Sequence, residues 1–222
     1  MQFIDFETWE RRDHFRLYHA MEYPYFGITV DLDVTGLLAS LKAAGLPVYS
    51  TLIHAVTCVA SEIPEFRTRV RGEQLVLHDR LTPSFTVPWR GDLFNFCTVD
   101  FDPDRDRFVR ASQEAMAVAQ DADALILDAP DRDDLIFMTC FPWMAFTGVT
   151  HPVNPRGGDA FPRFAWGKIT SREGRELLPF NIQLHHGLAD GAHAARFLER
   201  LENVLKSELT QNVPSDRSRS WV

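Results

Sequence analysis

Gln183-Leu184-His185-His186-Gly187-Leu188-Ala189-Asp190-Gly191 ends the last strand-like run of the chain and opens its last helix. Upstream, Leu177–His185 is an apolar run of strand length that leaves a Glu173-Gly174 turn, with a further strand-like run, Arg163–Thr170, before it. Downstream, Phe197, Leu201, Val204 and Leu205 recur at helical spacing and predict an amphipathic helix over Ala192–Ser207. Histidine titrates near pH 6.5, so a neutral imidazole at the mouth of a pocket can take a proton from an alcohol. Side chains of adjacent strand residues point to opposite faces. The two histidines are therefore poorly placed to share one metal, and only one of them faces a given pocket. The same residues also suit a purely structural role, with Asp190 as an N-cap and a histidine satisfied at a strand end.

Working outward, Tyr25–Asp33 alternates as a half-buried strand, and a helix is expected over Val34–Ala44, ended by Gly45 and Pro47. Tyr49–Ile63 predicts a longer helix with a scant polar face, which must lie against a sheet or a partner subunit. Pro64 stops it. Strand-like runs follow at Phe66–Val70, Gln74–His78, Ser84–Trp89 and Phe94–Val99, the first two joined as a hairpin through Arg71-Gly72. Asp100–Asp106 reads as a solvated acidic loop, Phe108–Ala122 as an amphipathic helix, and Asp128–Asp134 as a second charged loop. Leu135–Cys140 is short and apolar enough to be a central strand. His151–Ala160, with its Pro, Asn and Gly-Gly, is a long loop and a candidate substrate rim. The polar tail Gln211–Val222 is expected to be flexible.

The sequence has 222 residues, 45% of them hydrophobic, with 17 Phe and 5 Trp, which is enough for one sizeable core. A net charge of −8 argues against a nucleic-acid or anionic-membrane surface. Cys58, Cys97 and Cys140 are far apart and form no CxxC pair, so they read as small buried hydrophobes rather than metal ligands. The N-terminus lacks the apolar region of a signal peptide, and no run of 18 apolar residues exists for a membrane span. The expected location is the cytoplasm.

The motif HHxxxDG resembles the signature of the CoA-dependent acyltransferase superfamily, which includes chloramphenicol acetyltransferases, nonribosomal condensation domains and plant acyltransferases. The length points to the chloramphenicol acetyltransferase branch. Trp9-Glu10-Arg11-Arg12-Asp13-His14-Phe15 is similar to that family's WxRxxHF opening, Ile63-Pro64-Glu65-Phe66-Arg67 to its HPEFR element, and Ser84-Phe85-Thr86-Val87 to its C/F-Y-T-V strand. Pro142-Trp143, Phe146-Thr147 and Gly167-Lys168 fall at matching intervals. The resemblance covers about Trp9 to Lys206. It implies an α/β fold, a single-domain two-layer sandwich over residues 1–210 in which helices cover a mixed sheet. It also implies a homotrimer whose active sites lie between subunits.

By the same resemblance, His186 is the general base that takes the acceptor's hydroxyl proton as its oxygen attacks the thioester of acetyl-CoA, the co-substrate. No acyl-enzyme and no metal are needed. The negative net charge does not exclude CoA, because a local group of Lys and Arg suffices to hold it. Asp190 and Arg11 match a structural ion pair; if the pair is buried, loss of either partner costs about 3–5 kcal/mol. Arg12 reads as a surface charge. Thr139 stands where the family has a serine that stabilises the oxyanion, against its bland reading as a β-branched strand residue. Tyr18 and Phe94 match aromatics of the chloramphenicol pocket, or else belong to ordinary core.

Other positions depart from the family pattern. Val149-Thr150-His151-Pro152-Val153-Asn154 replaces a common F-x-L-N-V-A-N run, Ala165 stands where a threonine often lies, and Ile169 replaces an aromatic. These changes bear on the acceptor pocket and leave the transfer chemistry alone. The leading expectation is O-acetylation of chloramphenicol, with another hydroxylated small molecule as the alternative acceptor. A catalytically dead trimer is disfavoured by retention of His186, Asp190, Arg11 and Thr139. A metal-dependent hydrolase is disfavoured by the diverging histidines and the lack of HExxH.

Overall fold

The computed structural model describes residues 1–127, 132–154 and 158–211, with side chains as far as Ser207. Residues 128–131 of the expected charged loop, 155–157 of the expected rim and 212–222 of the expected tail lie outside the described residues. Ten strands and six helices are found among the described residues: β1 (Gln2–Ile4), α1 (Arg12–His19), β2 (Tyr25–Asp33), α2 (Leu37–Ala43), α3 (Val48–Glu62), α4 (Pro64–Arg67), β3 (Thr68–Arg71), β4 (Gln74–Leu77), β5 (Thr82–Trp89), β6 (Leu93–Thr98), α5 (Arg105–Asp121), β7 (Leu135–Phe141), β8 (Arg163–Gly167), β9 (Thr170–Arg172), β10 (Arg175–His185) and α6 (Gly191–Gln211). The main sheet runs β2-β10-β8-β7-β5-β6, with β9 paired to β10. β7 is parallel to both β5 and β8 while the other pairs are antiparallel, so the sheet is mixed and β7 is central, as its apolar run predicts.

Alternation along the strands divides the sheet into two chemically different faces. On one face Leu178, Phe180, Ile182 and Leu184 of β10 join Phe164, Trp166, Met138 and Phe85 in the main core, covered by α2, α3, α5 and α6. This is the expected sandwich. On the other face, register aligns Thr29, Asn181, Ala165, Thr139, Thr86 and Phe96 in one row across six strands.

Helix α3 buries ten of its 15 residues against α5, α6 and β5 of its own chain. Its apolar character therefore says nothing about association. Two of its buried hydroxyls are satisfied locally, Thr51 and Thr57 donating to the carbonyls of Pro47 and Ile53. Among the described residues no single helix is long and apolar enough to cross a membrane.

Several boundaries differ from the sequence reading, each for a physical reason. Helix α2 starts at Leu37 because Gly36 is left-handed, with φ of 84°. Helix α5 starts three residues earlier than expected because Asp104 caps it, accepting from the Arg107 amide at 2.9 Å. Pro64 starts a helical turn, so the strand after it begins at Thr68 and not at Phe66. That strand pairs with β4 as the expected hairpin, but the hairpin joins β1 in a separate three-stranded sheet.

The expected strand Arg163–Thr170 is broken after Gly167. The Lys168 amide donates to Met144 O at 2.8 Å instead of to a neighbouring strand. This crossing requires the glycine: a Cβ there would meet Met144 O at 2.8 Å and Pro179 Cγ at 2.9 Å. Gly167→Ala is therefore expected to overpack the crossing and destabilise the fold by about 1–3 kcal/mol in urea unfolding. A change within error would show that the 142–146 segment yields freely.

Candidate active site

The turn between β10 and α6 is shaped by hydrogen bonds before any chemistry is considered. The amides of Leu188 and Ala189 both donate to His185 O, and the His186 amide donates to Pro24 O at 2.7 Å. Gly187 sits where a Cβ would lie 3.0 Å from the His185 ring and 3.2 Å from the Phe15 backbone, so a larger residue would need one of them to give by a few tenths of an ångström. Asp190 then caps α6, accepting from the Ala192 amide at 3.0 Å.

The two histidines diverge as strand alternation requires. His185 lies with Tyr25, Phe15 and His19, while His186 lies with Phe26 and Tyr18. His185 is buried and accepts the Gly187 amide on Nδ1. Its burial, with the nearby His19, pushes its pKa down to about 4. It is a neutral structural group at physiological pH.

His186 is held differently. Its Nδ1 lies 3.2 Å from Ala189 O, and a carbonyl can only accept, so the neutral ring carries its proton on Nδ1. Nε2 is left with a free lone pair. The ring is stacked on Tyr18 with centroids 4.0 Å apart and planes 11° from parallel, and Phe26 packs on it at 4.6 Å. An imidazole fixed in one tautomer and clamped between two aromatics has the form of a general base.

Arg11 Nη1 donates to Asp190 Oδ2 at 2.8 Å, and Nη2 reaches His186 O at 3.5 Å. Burial alone would raise the Asp190 pKa, but the Arg11 hydrogen bond and His193 outweigh it and hold the carboxylate at about 2. The pair is half-buried, with side-chain exposures of 15% and 35%. The cost of breaking it therefore falls between about 1 kcal/mol for an exposed pair and the about 3–5 kcal/mol of a buried one. Arg12 makes exposed pairs with Glu7 and Asp13.

Sequence reasoning missed His193. Its Nδ1 lies 2.8 Å from Asp190 Oδ1 and its Nε2 lies 3.3 Å from Glu65 Oε1, so one ring bridges two carboxylates under the turn. Spacing was the available signal, since His193 is three residues after the cap. Glu65 was quoted only as part of a motif.

Thr139 and Phe94 lie elsewhere. Thr139 is two strands from β10 and in register with Asn181, five residues before His186. Strand spacings of 4.8 Å laterally and 3.3 Å per residue place it roughly 19 Å from His186. It also faces the opposite side of the sheet, in the row of Thr29 and Asn181. Phe94 is half exposed on the edge strand β6, four strands from β10. The fold thus gathers His186, Tyr18, Asp190 and Arg11, and leaves Thr139 and Phe94 outside that group.

The expected rim is pinned over the far face. His151 donates its amide to Gln183 Oε1 at 3.1 Å, and its Nε2 lies 3.2 Å from Asn181 Oδ1. A buried Asp159–Arg163 pair, 2.5 Å at its shortest, ties down the end of the loop, and Tyr25 donates to Asp159 O at 2.7 Å. Of the cysteines, Cys97 is buried and burial pushes the Cys140 thiol up to about 11, so neither is an activated nucleophile.

A family model described as chloramphenicol acetyltransferase matches residues 1–202. The chain belongs to the chloramphenicol acetyltransferase family. The chloramphenicol acetyltransferase 2 of Haemophilus influenzae is 31% identical over 210 residues, which is 91% of this chain and 98% of its own. The chloramphenicol acetyltransferase of Streptomyces acrimycini is 30% identical over 205 residues, 91% of this chain and 93% of its own. A solved structure of a chloramphenicol acetyltransferase is similar with a TM-score of 0.81 and 28% identity, over 92% of this chain and 99% of that one. The mixed sheet with one helical layer is thus the fold of the family.

The His185 environment gives a pH prediction. Its folded pKa is about 4 and its ordinary value 6.5, so between these the unfolded chain binds the extra proton and stability rises with pH. Below about pH 4 both states are protonated and the contribution is lost. His185→Gln is expected to flatten the stability profile between pH 4 and 6.5 relative to the parent chain. Parallel profiles in denaturant unfolding would refute it.

Proposed function

We propose that this chain transfers the acetyl group of acetyl-CoA to a hydroxyl of chloramphenicol, in the cytoplasm, as a homotrimer. The observation that carries the chemistry is the fixed tautomer of His186. With its proton held by Ala189 O, the ring offers Nε2 to the acceptor hydroxyl. Nε2 takes the hydroxyl proton as the oxygen forms its bond to the thioester carbon. The carbonyl oxygen gains charge and accepts a hydrogen bond from the Thr139 hydroxyl. When the carbon–sulfur bond breaks, the departing thiolate takes the proton back from Nε2, and no group on the enzyme is left altered.

Arg11 and Asp190 hold the turn and move no proton. Tyr18 packs on the base and borders the acceptor, and Phe94 lines the acceptor's pocket from another copy of the chain. The same geometry supports association. Base and donor of one chain stand roughly 19 Å apart on opposite faces of the sheet, so the donor for His186 comes from a neighbouring subunit. The trimer itself rests on the family resemblance. Residues 1–210 then form the single working domain.

A second acceptor class is favoured by one observation. His151, Asn181 and Gln183 form a polar, hydrogen-bonded seam at the expected rim. Such a seam can select a hydroxylated small molecule with a different polar outline.

Saturable thiol release from acetyl-CoA on adding chloramphenicol is the direct assay. His186→Ala is expected to abolish it without altering the association state, and Thr139→Ala to lower turnover about 10²-fold or more. Unaltered turnover in either variant would remove that residue from the reaction. No release from the parent chain would move the search to other alcohols.

Mixing is a sharper test of the shared site. Co-expressed His186→Ala and Thr139→Ala chains are expected to recover activity, because one interface of a mixed trimer pairs an intact His186 with an intact Thr139. If the mixture is no more active than the sum of its parts, base and donor do not come from different subunits.

A further inference from the structure

Thr86 is the group in the main sheet whose side chain meets a proposed reacting residue without any role so far. Its Oγ1 lies 3.0 Å from Thr139 Oγ1. The contact is built by register: β5 runs parallel to β7 with Phe85 opposite Met138, which sets Thr86 beside Thr139 on the face away from the helices. On the other side of Thr139, β8 places Ala165, fully buried and without a hydroxyl. Of the two residues flanking Thr139 in its row, Thr86 alone can hydrogen-bond to it.

A threonine hydroxyl has one proton to donate and two lone pairs. When Thr139 gives its proton to an oxyanion, the bond between the two threonines survives only with Thr86 as donor. In that arrangement Thr86 fixes the rotation of the Thr139 hydroxyl and polarises it, since chained hydrogen bonds reinforce one another. Thr86 is itself well anchored. Its carbonyl accepts the Tyr49 hydroxyl at 2.7 Å, and Tyr49 is wedged against the rings of Phe85 and Trp166. The β-branched side chain adds stiffness of its own at χ1.

We propose that Thr86 is a positioning residue that aims the Thr139 hydroxyl at the oxyanion. The inference rests on the reading of Thr139 as oxyanion donor.

Four chains test it by steady-state acetyl transfer to chloramphenicol: Thr86→Val, Thr86→Ser, Thr139→Ala and the double variant Thr86→Val/Thr139→Ala. Valine keeps the shape and removes the hydroxyl; serine restores it. Thr86→Val is expected to lower kcat about tenfold with little change in the acceptor's KM, a smaller loss than removal of the donor itself. Thr86→Ser is expected to restore most of that loss. In the Thr139→Ala background, Thr86→Val is expected to cost nothing further.

A parental kcat in Thr86→Val beside an impaired Thr139→Ala overturns the proposal and leaves the donor reading standing. A parental kcat in Thr139→Ala overturns the donor reading, and the proposal with it. An equal loss from Thr86→Val in both backgrounds, or no rescue by serine, means that Thr86 acts only through packing and also overturns the proposal. Thermal unfolding of each variant separates that packing loss from a loss of fold.

Discussion

Arg11 and Asp190 are 179 residues apart, and their ion pair closes the chain's beginning onto the turn that carries His186. The same guanidinium reaches the His186 carbonyl, so backbone and carboxylate of the turn are tied to one planar group. A half-buried pair is too weak to impose such a closure alone. A small apolar cluster supports it: Phe15 packs with Leu75, Ala160 and Leu188, and Phe6 and Trp9 cover it. This explains the separate three-stranded sheet. Leu75 of β4 and Val70 of β3 supply its floor, so a hairpin remote from the main sheet stabilises the helix that brings Tyr18 to the histidine.

The histidine pair shows how one backbone feature separates two roles. Successive residues at the end of β10 face opposite sides. His185 is directed into the aromatic and charged cluster of Phe15, Tyr25 and Asp159, where burial keeps it neutral. His186 is directed to the other side, where Tyr18 and Phe26 clamp the ring and Ala189 O selects its tautomer. Moving the pair by one residue would exchange an imidazole with an open Nε2 for a buried spacer. The turn residues Gly187 and Asp190 fix that register from the far end, the first by admitting Phe15, the second by capping α6.

Much of this was legible in the sequence because it is local. Strand length before His185, helical spacing after Gly191 and the hairpin at Arg71-Gly72 depend on neighbours within a few residues. The Asp104 cap was equally local, but an acidic stretch read as a solvated loop concealed it. What was not legible depends on distant contacts. The break after Gly167 is made by a carbonyl of Met144, and no propensity in Arg163–Thr170 announces it. The apolar face of α3 was ambiguous between a sheet and a partner, because composition reports burial and not the covering surface. Thr86 gained meaning only from the parallel register of β5 and β7, and His193 only from the approach of Glu65. The pairing of Arg11 with Asp190, by contrast, came from the family resemblance and was then met by the geometry.

Placement of the polar row on the face away from the helices has a consequence for how such a site can change. Within that row a hydroxyl beside Thr139 can be supplied from β8 or from β5, since both strands flank β7 in register. In this chain Thr86 of β5 supplies one and Ala165 of β8 supplies none. His186 is insulated from this choice, because it stands at the end of β10 on the other face and takes its orientation from Ala189 O. On the proposed reading, acceptor chemistry and donor alignment can therefore drift on one surface of the subunit while the base remains fixed on another. On that reading the two surfaces meet only on association, so the constraint that keeps them compatible acts on the interface and not on either site alone.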